Sequence, residues 1–270
     1  HPWNWRGWWD YGTGALGDMA CHILHPVFKG LNLGYPTRVQ GSSTLLLQDC
    51  APNAQHVKLV FPARDNMPKV AMPKLALPEV EIHWYDGGMM PDRPEGFPQG
   101  KELMGEGGGL CIFHGTKDTL ICGCYGVNPW LLSGRKPNVP QTLRRVKDAM
   151  KGGHEQDWIR ACKESAGSRV QTKSNFLEAG PFNEMVVMGV LAGCLQRLNK
   201  ELLWDGPNMR FTNIDPNETI KIIKKDTFEV IDGDPKFKTE WTDPINAQEF
   251  AAGLIKHNYR EGWKLVDMPR

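Results

Sequence analysis

The chain has 270 residues, of which 40% are hydrophobic and 23% charged. Those are the proportions of a globular domain long enough to bury a sizeable core. A net charge of +1 supplies no bulk field for nucleic acid or an acidic membrane, and no stretch approaches the roughly 18 apolar residues that a membrane span needs. A start at His1-Pro2, without Met and without a basic-apolar leader, is expected of a fragment, a processed chain or a reading frame that has lost its first part. The expected setting is a soluble one, cytoplasmic or periplasmic.

Residues 1–11, HPWNWRGWWDY, crowd indoles around Arg6, Asp10 and Tyr11. Flat apolar rings beside a planar cation and a phenol suit sugars and other polyols, whose rings stack while their hydroxyls find charged partners. Trp5, Arg6, Trp8 and Tyr11 are the candidate substrate contacts. The same residues would also serve as a buried aromatic clamp. Next comes GTGALGDMACHILHPVFK, 12–29. On one helix Asp18, His22, His25 and Lys29 share a face. Leu16, Met19, Ala20, Ile23 and Val27 form the opposite, buried stripe. Asp18 and His22 can share a substrate hydroxyl, with the carboxylate orienting an imidazole that exchanges protons near neutrality. A solvated surface ion pair is the alternative reading of that spacing. Gly12, Gly14 and Gly17 let the chain turn into the helix. They form no dinucleotide fingerprint, because no strand–helix–strand unit accompanies them.

Strands are expected at 37–47, with Gly41 a bulge, at 56–63 and at 79–88. In the last two, Val57, Leu59 and Phe61, then Val80, Ile82 and Trp84, each share a face. Residues 64–78 carry Pro68, Pro73 and Pro78 and read as an extended insertion. The glycine- and proline-rich stretch 86–109 reads as a loop insertion near the substrate mouth. Residues 109–126 form a hairpin about Gly115–Asp118. Cys122 and Cys124 could point one way on its second strand, but no companion residues complete a metal set, and no metal is expected. Residues 154–165 form a helix with Trp158, Ile159 and Cys162 inward. Residues 177–200 form the longest apolar helix, with Pro181 in its first turn and Met185, Val186, Gly189, Ala192 and Gly193 on a thin packing face. A terminal strand is expected at REGWKL, where Tyr259, Arg260 and Trp263 either approach the substrate or edge the core. Antiparallel strands flanked by helices indicate an α+β fold.

Several of these segments resemble one family. GTGALGDMACHILH is similar to the GGGxLxDxGxHxxD segment of the glucose–fructose oxidoreductase / inositol dehydrogenase / rhizopine-catabolism (Gfo/Idh/MocA) family. WRGWWDYGTG, HEQDWIRACK, EAGPFNEMVVMGVLA, LLWD and NYREGWKL add matches in the same order. The resemblance implies that residues 1–270 are that family's C-terminal domain, an open, mostly antiparallel sheet with helices on one face. It implies hydride exchange between a sugar-like alcohol and NAD or NADP, with Asp18 and His22 beside the reacting carbinol and a homo-oligomeric assembly. The family's Rossmann domain, with its glycine-rich loop and Glu-Lys-Pro segment, has no counterpart here, so the cofactor would come from a missing domain or a partner chain. His25 stands where the family usually has Asp.

Three functions follow as expectations. The first is the substrate and catalytic domain of an NAD(P)-dependent sugar, polyol or glycoside oxidoreductase. There the tryptophan segment holds the sugar, His22 exchanges the hydroxyl proton, Asp18 orients it and His25 contacts a further hydroxyl. The second is an NAD-dependent glycosidase of the oxidation–elimination type using the same residues. The third is a non-catalytic sugar-binding or assembly module.

Overall fold

The computed structural model describes residues 1–64, 77–103, 108–136, 146–148, 151–256 and 259–264. Most of the insertion expected at 64–78 lies outside them. The architecture is α+β with open, antiparallel sheets. After a 3-10 turn at Pro2–Gly7 come helices α1 (Gly14–Ile23) and α2 (His25–Gly30). Strands β1 (Arg38–Ser43), β2 (Gln55–Phe61) and β3 (Val80–Tyr85) join β7 (Leu202–Asp205) and β8 (Arg210–Phe211) in a sheet ordered β3-β2-β1-β7-β8.

Alternation decides which side of this sheet is buried. Val39, Leu59 and Ile82 stand opposite one another across β1, β2 and β3, as Val57 does to Trp84. All are buried, with Phe61 and Leu202 beside them. Helix α4 (Phe176–Cys194) lies over β1 and β2 on this face, and α1 packs against α4. Met185, Val186, Gly189, Ala192 and Gly193 face inward as the sequence anticipates. Gly41 is not a bulge, because the β1–β2 register runs unbroken through it. A Cβ there would fall 2.6 Å from the Ala192 carbonyl carbon, so its missing side chain lets α4 settle onto the strand.

The two expected histidine turns do not share one helix. Pro26 cannot donate to the carbonyl a turn earlier, and the chain restarts as α2 with this proline in its first turn. Pro181 lies inside α4, which starts at Phe176 and ends at Cys194. The 109–126 hairpin forms as β4 (Leu110–His114) and β5 (Thr119–Gly123), joined by β6 (Trp130–Leu131). The strand stops before Cys124, so the two cysteines of the Cys-x-Cys do not share a strand face.

The described part of the 86–109 segment has no helix or strand. Phe97 is buried and pins it to Trp130, with ring centroids 5.9 Å apart.

Helix α3 (Gly153–Lys163) turns a different side inward from the one expected. Gly153, Asp157 and Ala161 are buried, while Trp158 is 64% exposed and Cys162 lies at the surface. The reason is Asp157, whose carboxylate accepts from Arg160 at 3.2 Å and from the Lys173 amide at 3.0 Å, so the polar side anchors the following loop. Beyond β8 come β9 (Thr219–Ile220), the long pair β10 (Ile223–Ile231) and β11 (Asp234–Trp241), then β12 (Ile245–Asn246) and α5 (Ala247–Ile255). Residues 259–264 form a turn, closed by Trp263 N–H donating to the Arg260 carbonyl at 3.1 Å, and not the expected strand. Tyr259 and Trp263 are exposed. No described helix is long and apolar enough to cross a membrane.

Candidate functional site

Asp18 and His22 occupy successive turns of α1, each only partly shielded from solvent. The Asp18 carboxylate accepts from Arg6 Nη1 at 2.5 Å, so its strongest partner comes from the indole segment and not from His22. Gly12 makes this approach possible. A Cβ at that position would fall 2.6 Å from the Arg6 Cα, so only glycine lets the loop fold back on the arginine. The Arg6 guanidinium also lies 5.1 Å from the Trp3 ring centre. One cation therefore ties the aromatic segment to the helix carboxylate.

Of the four indoles only Trp9 packs against the core, and it is partly buried. No residue of Pro2–Gly7 is buried. Trp3, Trp5, Trp8 and Tyr11 all remain exposed, with the Trp5 and Tyr11 rings 5.6 Å apart. The segment is fixed by the Trp9 ring and by its backbone, where Trp9 N–H donates to the Asp49 carbonyl at 3.0 Å and Ala51 N–H to the Gly7 carbonyl at 2.8 Å.

The His22 ring meets Tyr125 edge-on, with centroids 5.3 Å apart at 75°, and has no hydrogen-bond partner among the described residues. Tyr125 was not singled out in the sequence. It has a left-handed backbone (φ 61) and a largely exposed ring, an unusual conformation for a bulky residue. The Tyr-Gly pair closing an apolar strand was the available signal. The cysteines nearby cap the helix. Cys111 Sγ donates to the Ile23 carbonyl at 3.0 Å and Cys124 Sγ to the His22 carbonyl at 3.8 Å, satisfying carbonyls that a helix end leaves free. The hydrogen bond with Cys122 and burial push the Cys111 thiol up, which keeps it unreactive. Burial and the Asp18 charge likewise raise the Cys21 thiol.

His25 and Lys29 converge on Glu178, in the first turn of α4. His25 Nε2 lies 2.8 Å from Glu178 Oε1 and Lys29 bonds the other oxygen. Burial pushes the Glu178 carboxyl up, but the hydrogen bonds and charges of Lys29 and His25 outweigh it and hold the group below its ordinary value. The His25 ring also packs 5.1 Å from Phe182. Sequence reasoning missed Glu178 as a partner because it lies 153 residues from His25.

Trp5, Arg6, Tyr11, Asp18, His22 and Tyr125 thus offer stacking surfaces, a bound cation–carboxylate pair and an imidazole without a hydrogen-bond partner among the described residues. The expected hydroxyl contact at His25 is already engaged by Glu178. An open cleft of about 690 Å³ is lined by none of these residues and lies beside β1. No group of three His, Cys, Asp or Glu among the described residues can hold a metal ion. Every described strand ladder is antiparallel, so none supplies the parallel unit on which a dinucleotide's phosphates rest. No family model matches the chain, and no curated protein matches it.

Proposed function

We propose that this chain is the substrate-holding, proton-transferring part of an NAD(P)-dependent oxidoreductase acting on a hydroxyl of a sugar, polyol or glycoside. One observation carries the reading. The His22 imidazole has no hydrogen-bond partner among the described residues and stands one helical turn from a carboxylate that Arg6 ties to exposed indoles. Oxidising a carbinol removes a hydride and a proton. NAD or NADP supplies the hydride acceptor in this reading. The described residues do not offer a cradle for its phosphates, so in this reading another domain or a partner chain would have to hold it. The proton falls to His22, which accepts it from the substrate oxygen as a general base. Asp18 and Arg6, joined as an ion pair one helical turn from His22, act as positioning groups. The exposed faces of Trp5 and Trp8 receive the ring of the substrate.

A non-catalytic sugar-binding module is the second reading. The exposed faces of Trp3, Trp5 and Trp8, which lie outside the described cleft, favour it. The experiment is a panel of myo-inositol, glucose and methyl glucoside, offered with NAD or NADP to the protein assembled with the domain or partner that holds the cofactor, and to the same assembly carrying His22→Ala. The oxidoreductase reading expects reduced nicotinamide from at least one substrate, with His22→Ala lowering turnover by about 10²–10⁴-fold while binding persists. Binding without any nicotinamide reduction supports the module. Cleavage of methyl glucoside without net reduction marks a glycosidase.

A further inference from the structure

We propose that the cleft between β1, the 44–46 loop, the Gln196–Leu198 turn and the base of the β10–β11 pair binds a small anion, a carboxylate or phosphate carried on a short hydroxylated body. This site is separate from the α1 face and does not rest on its reading. The cleft measures about 690 Å³, the size of a small-molecule site. Its wall presents Ser42, Thr44, His56, Lys58, Gln196 and Arg197, and none of its lining residues is acidic.

The two cations differ in what already neutralises them. Lys58 Nζ is paired with Glu201 at 2.7 Å. Arg197 has no carboxylate partner among the described residues, and its guanidinium lies 4.3 Å from the centre of the Trp241 ring. An indole face holds the charge in place without using the N–H donors. Those donors remain for an oxyanion, to which an arginine offers two parallel, charge-assisted bonds.

The support beneath Arg197 is fixed. The neighbouring Gln196 side chain accepts from the Ser43 amide at 2.8 Å and donates to Ser43 Oγ at 2.6 Å. That pair of bonds locks the turn carrying Arg197 to the strand carrying Ser42. The close approach at Gly41 brings the end of α4, just before this turn, onto the same strand. Ile223, which pairs with Trp241 across the β10–β11 ladder, and Leu46 give the cleft an apolar side. A site with one cation left unneutralised, hydroxyls and no acid among its lining residues selects an anion over a neutral polyol of the same size.

The test titrates the whole chain with inorganic phosphate, gluconate and glucose by calorimetry, with amide shifts read in parallel. Gluconate or phosphate is expected to bind, to shift the Ser43, Gln196 and Arg197 amides, and to weaken at least tenfold in Arg197→Gln. Arg210→Gln, which removes an exposed arginine outside the cleft, should bind like the parent. Arg197 is at the surface, and the amide spectrum of its variant reports whether the fold is kept. Equal binding of glucose and gluconate would overturn the proposal. So would unchanged anion affinity in a folded Arg197→Gln, or shifts centred on α1.

Discussion

At the scale of single residues, the sequence made Asp18 and His22 conspicuous because their spacing stacks them on one helix face. It could not show where the Asp18 carboxylate would spend its hydrogen bond. That depended on Arg6 being folded back over Gly12, a contact between residues that no helical period relates. Glu178 was hidden for the same reason. Its partners His25 and Lys29 are visible as a pair, but the acid that joins them arrives from a distant helix. This triad makes a pH prediction. The folded-state Glu178 carboxyl sits below its ordinary 4.5, so its stabilisation is complete above that value and is lost as pH falls through the lowered one. Glu178→Gln should therefore cost about 1 kcal/mol near neutrality and much less at a pH below the lowered value, where the acid is protonated in both states. Urea unfolding of both proteins at the two pH values checks this, and an equal difference at both would count against the ion pairs.

At the scale of elements, alternation predicted the inward residues of β2 and β3 because one face of each is buried, and side-chain period alone decides which. Pattern failed where a polar group went inside. In α3 the Asp157 carboxylate is buried with Arg160 and a loop amide as partners, and a hydrophobicity count places that side outward. The β10–β11 pair was legible but unread. Its Asp232-Gly233 turn, with φ of 54 and 86, is the tight-turn signal that favours a two-residue hairpin. Glycines separate packing from propensity. Gly41→Ala should destabilise by about 1–3 kcal/mol, because its Cβ meets immovable α4 backbone. Gly180→Ala, on an open stretch of α4 with nothing within 4 Å, should stabilise by about 0.4–1 kcal/mol by restricting the unfolded chain. Denaturant titration measures both, and like signs for the pair would contradict the packing argument.

At the scale of the whole molecule, the α+β class followed from strands that alternate and helices that flank them. The division into separate sheets did not, because sheet membership depends on which distant edges pair. The five-stranded sheet carries α4 and α1 on its buried face. The β10–β11 pair is a two-stranded sheet of its own, with Phe228, Val230 and Phe237 exposed. A lone hairpin is marginal in water, so hydrogen exchange of its outer amides should outrun that of β1 and β2 by orders of magnitude. Equal protection would show that something covers it.

In the function proposed above, the α1 face and the exposed indoles act on one substrate. Titration of myo-inositol or methyl glucoside into the chain, followed at the indole N–H signals and the His22 ring by NMR, tests this most directly. The signals of Trp5, Trp8 and His22 should move together along one binding curve, while buried Trp204 stays still. Saturation with no movement at His22, or movement confined to the Arg197 cleft, would contradict it.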